Sequence, residues 1–343
     1  MKKTNLDVIH LITTLVFIAV TVTLRTLACL GDMNYRTGYF SDKLLINVAN
    51  CIAAAACVIS LVFCFFGKNK KKYRLNMHSP LIYVPAGTVS VALIFFAASS
   101  IHTLVKLPGA FFSTETFSST ENILLALVSV LALVSLAYFM IESVFDKQKS
   151  AERGAAGLVM VLFLTLLAAY TYFSKNMPIN SHVKITDQLA YIFAAVFFLY
   201  ECRMALDRDR WSAYVAVGGI AAILTAYSSI PALVVYAAKG EIISSSISEN
   251  VLGLGICLLI VARLILLILS PEDKKSETAD AIALMSSSRR AEIEASAIAR
   301  ARALEIIKEE TEIKEEPEIE NVLDDNYKMD IDNINITDII GEE

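Results

Sequence analysis

Residues 123–145 read ILLALVSVLALVSLAYFMIESVF, and positions 123–139 hold no charge and no polar face. A helix buried in a soluble protein keeps a polar stripe, whereas lipid demands apolar side chains all round. A bilayer core of about 30 Å takes roughly 20 such residues at ~1.5 Å each. The stretch therefore reads as a membrane span. Residues 44–66 (LLINVANCIAAAACVISLVFCFF) read the same way.

Working outward, eight segments qualify or come close: 8–30, 44–66, 81–105, 123–145, 155–174, 189–206, 211–238 and 251–270. Gly31-Asp32 and Gly67-Lys68 close the first two, Ser79-Pro80 opens the third, and Lys106-Leu107-Pro108-Gly109 ends it. The residue before a proline is biased out of the helix. Asp207-Arg208-Asp209-Arg210 forces a tight turn between the sixth and seventh spans, because four consecutive charges cannot sit in hydrocarbon at ~2.5–3.5 kcal/mol each. Composition agrees. The 343 residues are 56% hydrophobic and 19% charged, against roughly 45–50% and about 25% in soluble domains. Those figures exclude a disordered chain, a collagen-like chain and a disulfide-stapled miniprotein, and they argue against a soluble enzyme.

The net charge of −5 is unevenly spread: residues 1–270 hold 21 Lys and Arg against 14 Asp and Glu, and residues 271–343 hold 9 against 21. With the amino end inside, the inner segments carry 13 Lys and Arg, Arg153 among them, and the outer loops carry 6, Lys184 among them. That asymmetry predicts cytoplasmic termini and an even number of spans. Lys2-Lys3 before an apolar run suits a leader peptide, but the run is too long and Arg25 interrupts its end. The first segment is accordingly read as a span, with Arg25 snorkelling from its outer end.

The six cysteines form no CxxC pair, and His10, His78, His102 and His182 are scattered. Free packed thiols and no metal or other cofactor are expected. HExxH, GxSxG, P-loop and Rossmann motifs are all missing, so no enzymatic activity is expected.

Spans three, five and seven end alike, in Ser-Ser or Tyr-Ser/Thr pairs followed by Pro108, Pro178 or Pro231. The even spans that follow each carry ionisable residues in their inner half: Glu142, then Glu201 with Arg203, then Arg263. YFMIESVFDK and FLYECRMALDR resemble each other. A two-helix unit used three times after one further pair would give this pattern, as would convergent composition.

Glu142, Glu201, Arg203 and Arg263 form the candidate intramembrane cluster, since each unpaired charge in lipid is expensive. Arg263 is expected to pair with Glu201 or Glu142. The functional version is a proton or solute site; the favoured version is an ion pair that fixes helix rotation. Asn47 and Asn50 are expected to hydrogen-bond to neighbouring helices.

Ser270-Pro271-Glu272-Asp273 is a helix start signal. A cytoplasmic charged helix is predicted over 271–316 and an acidic disordered tail over 317–343. The end, MDIDNINITDII, is either a docking motif that folds on a cytoplasmic partner or, the favoured reading, a solubilising tail. Its charge excludes nucleic acid as a partner.

The fold class is therefore all-α: a polytopic transmembrane bundle of eight spans over 1–270, both termini cytoplasmic, followed by that helix and tail. The whole resembles bacterial cell-membrane proteins with many spans, a resemblance that implies no function. The leading reading is a non-enzymatic membrane sensor or scaffold, with the lipid bilayer as its medium and a cytoplasmic protein partner reached through residues 271–343. The competing reading is a secondary transporter using the ionisable cluster. Oligomeric state is not legible.

Overall fold

A computed structural model describes residues 4–66, 80–106, 120–144, 151–175, 177–206, 210–243 and 246–269, together with positions 295, 296, 298, 299 and 302. Two compact units divide the chain, Met1–Thr278 and Ala279–Glu343. The second is described only at those five positions, which are helical. The predicted helix and tail over 271–343 otherwise lie outside the described residues.

Among its described residues the first unit holds eight α-helices: α1 (Thr4–Gly31), α2 (Leu44–Phe66), α3 (Pro80–Val105), α4 (Thr120–Val144), α5 (Ala151–Phe173), α6 (His182–Ala205), α7 (Trp211–Lys239) and α8 (Ile247–Leu269). All eight are long and apolar enough to cross a membrane, as a multi-pass membrane protein requires. A two-stranded antiparallel ribbon, β1 (Met33–Asn34) and β2 (Tyr39–Phe40), joins α1 to α2, with Met33 opposite Phe40. The Asn34 side chain turns that ribbon by accepting from the backbone N–H of Arg36 at 3.0 Å.

Helices α3 to α8 form a closed ring. Each packs on the next, and α8 returns to pack on α3. Helices α1 and α2 lie outside it, both against α7. The ring's interior is filled by apolar side chains from all six helices, among them Phe96, Ala132, Phe163, Phe197, Ala222 and Ile260. Small residues set the closest approaches. A Cβ on Gly157 of α5 would lie 2.6 Å from Cys202 Sγ on α6, and one on Gly253 of α8 would lie 2.0 Å from Ser229 Oγ on α7. Threonine and serine hydroxyls inside helices are satisfied by carbonyls one turn back, as where Thr225 donates to Ala221 O at 2.7 Å. Helix α7 ends at Gly240, whose φ of 71° is the left-handed C-cap.

The β-ribbon, the α5–α6 connection and the α7–α8 connection share one end of the bundle, where Met33, Phe40, Val183, Val235 and Ile243 form a small apolar cluster. We call this the hairpin end.

One boundary differs from its sequence expectation for a physical reason. Helix α6 begins at His182 rather than 189. Lys184 and Asp187 look like loop residues in the sequence, yet both are buried because each is matched. The Lys184 ammonium donates to the carbonyls of Ser174 at 2.5 Å and Met177 at 3.3 Å. Asp187 accepts from the Ser228 hydroxyl of α7. Ser181 caps the helix by accepting from the Lys184 N–H at 3.3 Å.

Candidate functional site

Among the described residues, two clusters that contain buried arginines interrupt the apolar bundle. The first lies at the end opposite the hairpins and is centred on Glu201, in the second-last turn of α6. Its carboxylate is approached from four other helices. Arg153 Nη2, in the first turn of α5, donates to Oε2 at 2.6 Å. The Tyr214 hydroxyl of α7 donates to Oε1 at 2.6 Å. The Tyr138 hydroxyl of α4 donates to Oε2 at 3.4 Å. Arg263 Nε of α8 stands 3.6 Å from Oε1. Five of the six ring helices therefore meet at one carboxylate. Glu201, Arg263 and Tyr138 are each 1% exposed, Arg153 2% and Tyr214 0%.

Aromatic rings wall this group. Phe197 lies 5.1 Å from Tyr214, Phe198 5.7 Å from Tyr138, and Trp211 6.1 Å from Tyr214, measured between ring centroids. In such a dry shell a carboxylate holding two guanidiniums and two phenols is a rigid tie, since charged hydrogen bonds strengthen as the dielectric falls.

Of the residues singled out in the sequence, the structure brings Glu201 and Arg263 together. Arg203 is half-buried and places its guanidinium 5.5 Å from the Tyr200 ring centroid, outside the cluster. Glu142 lies in the last turn of α4, and its side chain is outside the described residues. Arg153, Tyr138 and Tyr214 are additions. Arg153 is a correction as well: counted with the inner loop, it is inside α5 and buried. The signal that could have found it is Glu152-Arg153-Gly154 directly before an apolar run, an arginine with no loop left to occupy.

The second cluster lies toward the hairpin end. Arg25 of α1 does not snorkel. It is 2% exposed, and its guanidinium carbon sits 4.4 Å from the Tyr227 ring centroid. The Tyr227 hydroxyl donates to Asn50 Oδ1 of α2 at 2.7 Å. Asn47, one turn away, is exposed. Asp187 and Ser228 pair close by. Beside this cluster, a cleft of about 390 Å³ runs between α2, α6 and α7. It exists because α2 and α6 both lean on α7 without packing along each other. Among the described residues no three His, Cys, Asp or Glu side chains group as a metal site requires.

The chain matches no protein-family model, no curated protein and no solved structure.

Proposed function

We propose that the protein is a non-enzymatic membrane sensor or scaffold with both termini in the cytoplasm of a cell membrane. Residues 271–316 form its cytoplasmic helix and 317–343 its acidic tail, and a cytoplasmic protein partner binds there. The observation that carries this reading is the enclosed Glu201 group. A carrier's ionisable site must meet water or solute and exchange partners. The Glu201 side chain is instead held from four helices by groups at most 2% exposed. Arg263 is on α8, the last span before residues 271–343 in the sequence, and its position is tied to α4, α5, α6 and α7 through Glu201. A change of packing anywhere in the ring is thereby felt at α8, which is what a reporting element needs.

Charge supports the orientation. With Arg153, Arg203, Lys184 and Lys239 assigned to helices, the segments outside the helices on the two faces still carry 11 and 4 Lys and Arg. The test is a chain ending at Ser270 compared with the full chain in cells lacking the gene. The shortened chain should insert normally but lose cross-linked partners and fail to complement. Full complementation by residues 1–270, together with substrate flux in reconstituted vesicles, would return the transporter reading.

A further inference from the structure

The cleft between α2, α6 and α7 opens sideways, toward the medium that surrounds the bundle. Ile185 and Leu189 on its α6 rim are 45% and 42% exposed, and Ala54 is exposed on its α2 rim. Along α6 it runs from His182 to Phe193, about 16 Å at ~1.5 Å per residue. In a hydrocarbon core of ~30 Å it therefore reaches from the hairpin end to the middle of the bilayer. Its charge decides the first property of an occupant. Among the described residues no Lys, Arg, Asp or Glu lines it. Arg25 and Asp187 interact behind Tyr227, outside the lining, and answer each other there. An ionised head would leave water for a wall without a countercharge, so the occupant is uncharged.

A donor at depth decides the second property. The 23 residues of α2 span about 34 Å, so its ends stand at the boundary of a ~30 Å core. Asn50, on the cleft wall, lies six residues or about 9 Å inside the hairpin end of that helix. Its Oδ1 is taken by the Tyr227 hydroxyl at 2.7 Å. What remains is Nδ2, with two N–H donors and no acceptor among the described residues. Thr186, across the cleft on α6, donates to His182 O at 2.6 Å within its own helix. An amide N–H facing hydrocarbon without an acceptor is costly. Phospholipid ester carbonyls stay with the headgroups, above this level. The acceptor that reaches Asn50 must ride on an uncharged head that sinks below them. Tyr227, Phe193 and His182 put aromatic rings around that position, and such rings pack well on another flat ring.

We propose that this cleft binds a lipid-soluble quinone, one ring carbonyl accepting from Asn50 Nδ2 and the tail leaving between α2 and α6 into the bilayer. A quinone ring is uncharged and flat, carries carbonyl acceptors and travels within hydrocarbon, which are the properties the wall selects. The second carbonyl faces the mouth, where His182 offers a ring nitrogen. The volume of about 390 Å³ holds one ring and the first part of its tail, near the lower end of ligand-pocket sizes, about 300–1,000 Å³. The inference does not rest on the sensor reading: a chain that binds quinone and lacks a tail-dependent phenotype keeps the one and loses the other.

The test uses the full chain in phosphatidylcholine nanodiscs and radiolabelled decylubiquinone, with empty nanodiscs as the blank. Binding above the blank should be saturable. Asn50→Leu, which keeps the bulk and removes the donors, should weaken it about tenfold, an amount typical of losing one buried hydrogen bond. Ala54→Trp, a filling change at an exposed position that leaves Asn50 alone, should abolish binding while the melting temperature holds. Decylbenzene, with a similar tail and no carbonyl, should compete at least about tenfold more weakly, as should palmitate, which is charged, and monoolein, whose carbonyl is an ester. Quinone binding that is absent, or that survives both Asn50→Leu and Ala54→Trp, overturns the proposal. So does any of the three competitors displacing decylubiquinone at equal concentration.

Discussion

Replacing Glu201 with glutamine keeps the side chain's shape and removes its charge. The structure says what is lost: a 2.6 Å charged bond to Arg153, the attraction of Arg263 at 3.6 Å, and the acceptor strength seen by Tyr214. What remains is two guanidiniums in a dry, aromatic-walled site without their carboxylate. Removing one partner of a buried ion pair costs about 3–5 kcal/mol. For a domain of this size each kcal/mol shifts the midpoint by about 2–4 °C, so Glu201→Gln should melt roughly 6–20 °C below the parent. Trp211, the only tryptophan in the chain, packs on Tyr214 and reports on the cluster directly. Its fluorescence, followed on heating in nanodiscs, gives the midpoint. A double-mutant cycle with Arg153→Leu should return a coupling of about 0.5–3 kcal/mol. A Glu201→Gln midpoint within about 2 °C of the parent would refute the view that this carboxylate ties the ring together.

Four further outcomes follow from the same geometry. Combined Arg153→Leu, Glu201→Leu and Arg263→Met should melt well above Glu201→Gln, because an apolar replacement of a whole buried ion cluster is often neutral; a triple variant less stable than the single one counts against it. Gly253→Ala should destabilise by about 1–3 kcal/mol through the clash with Ser229, and adding Ser229→Ala should restore part of that loss in a thermal scan. Tyr227→Phe should cost about 1 kcal/mol through the lost bond to Asn50, measured the same way. In nanodiscs, a lipid-soluble carbene photolabel should mark Cys51, which is exposed on the outside of the bundle, far more than Cys202 and Cys257, which are buried; equal labelling would contradict the packing.

The eight helices were legible because lipid imposes one requirement on every face, and 123–139 and 44–66 meet it without a single charge. The errors share a cause. Lys184, Arg25 and Arg153 read as marks of water because a charge in hydrocarbon is costly. Each is buried, Lys184 matched by carbonyls, Arg25 stacked on a tyrosine and Arg153 bonded to Glu201. Apart from Lys184, whose carbonyls lie 7 and 10 positions back, these matches link distant residues, 48 positions apart for Arg153 and Glu201 and 202 for Arg25 and Tyr227, and no local pattern announces them. The same holds for Tyr138 and Tyr214, which read as ordinary aromatic filling until the ring places their hydroxyls at Glu201. Glu201 and Arg263 could be singled out because nothing in their own helices accounts for a charge at that depth.

The return of α8 onto α3 has a biosynthetic meaning. Spans leave the ribosome in order, so α3 must wait in the bilayer through the synthesis of five more helices before its last neighbour arrives. Until Arg263 emerges, Glu201 lacks one of its two cations and the barrel stays unlatched. A chain stalled before residue 247 leaves the facing flanks of α3 and α7 uncovered, and the arrival of α8 closes the ring.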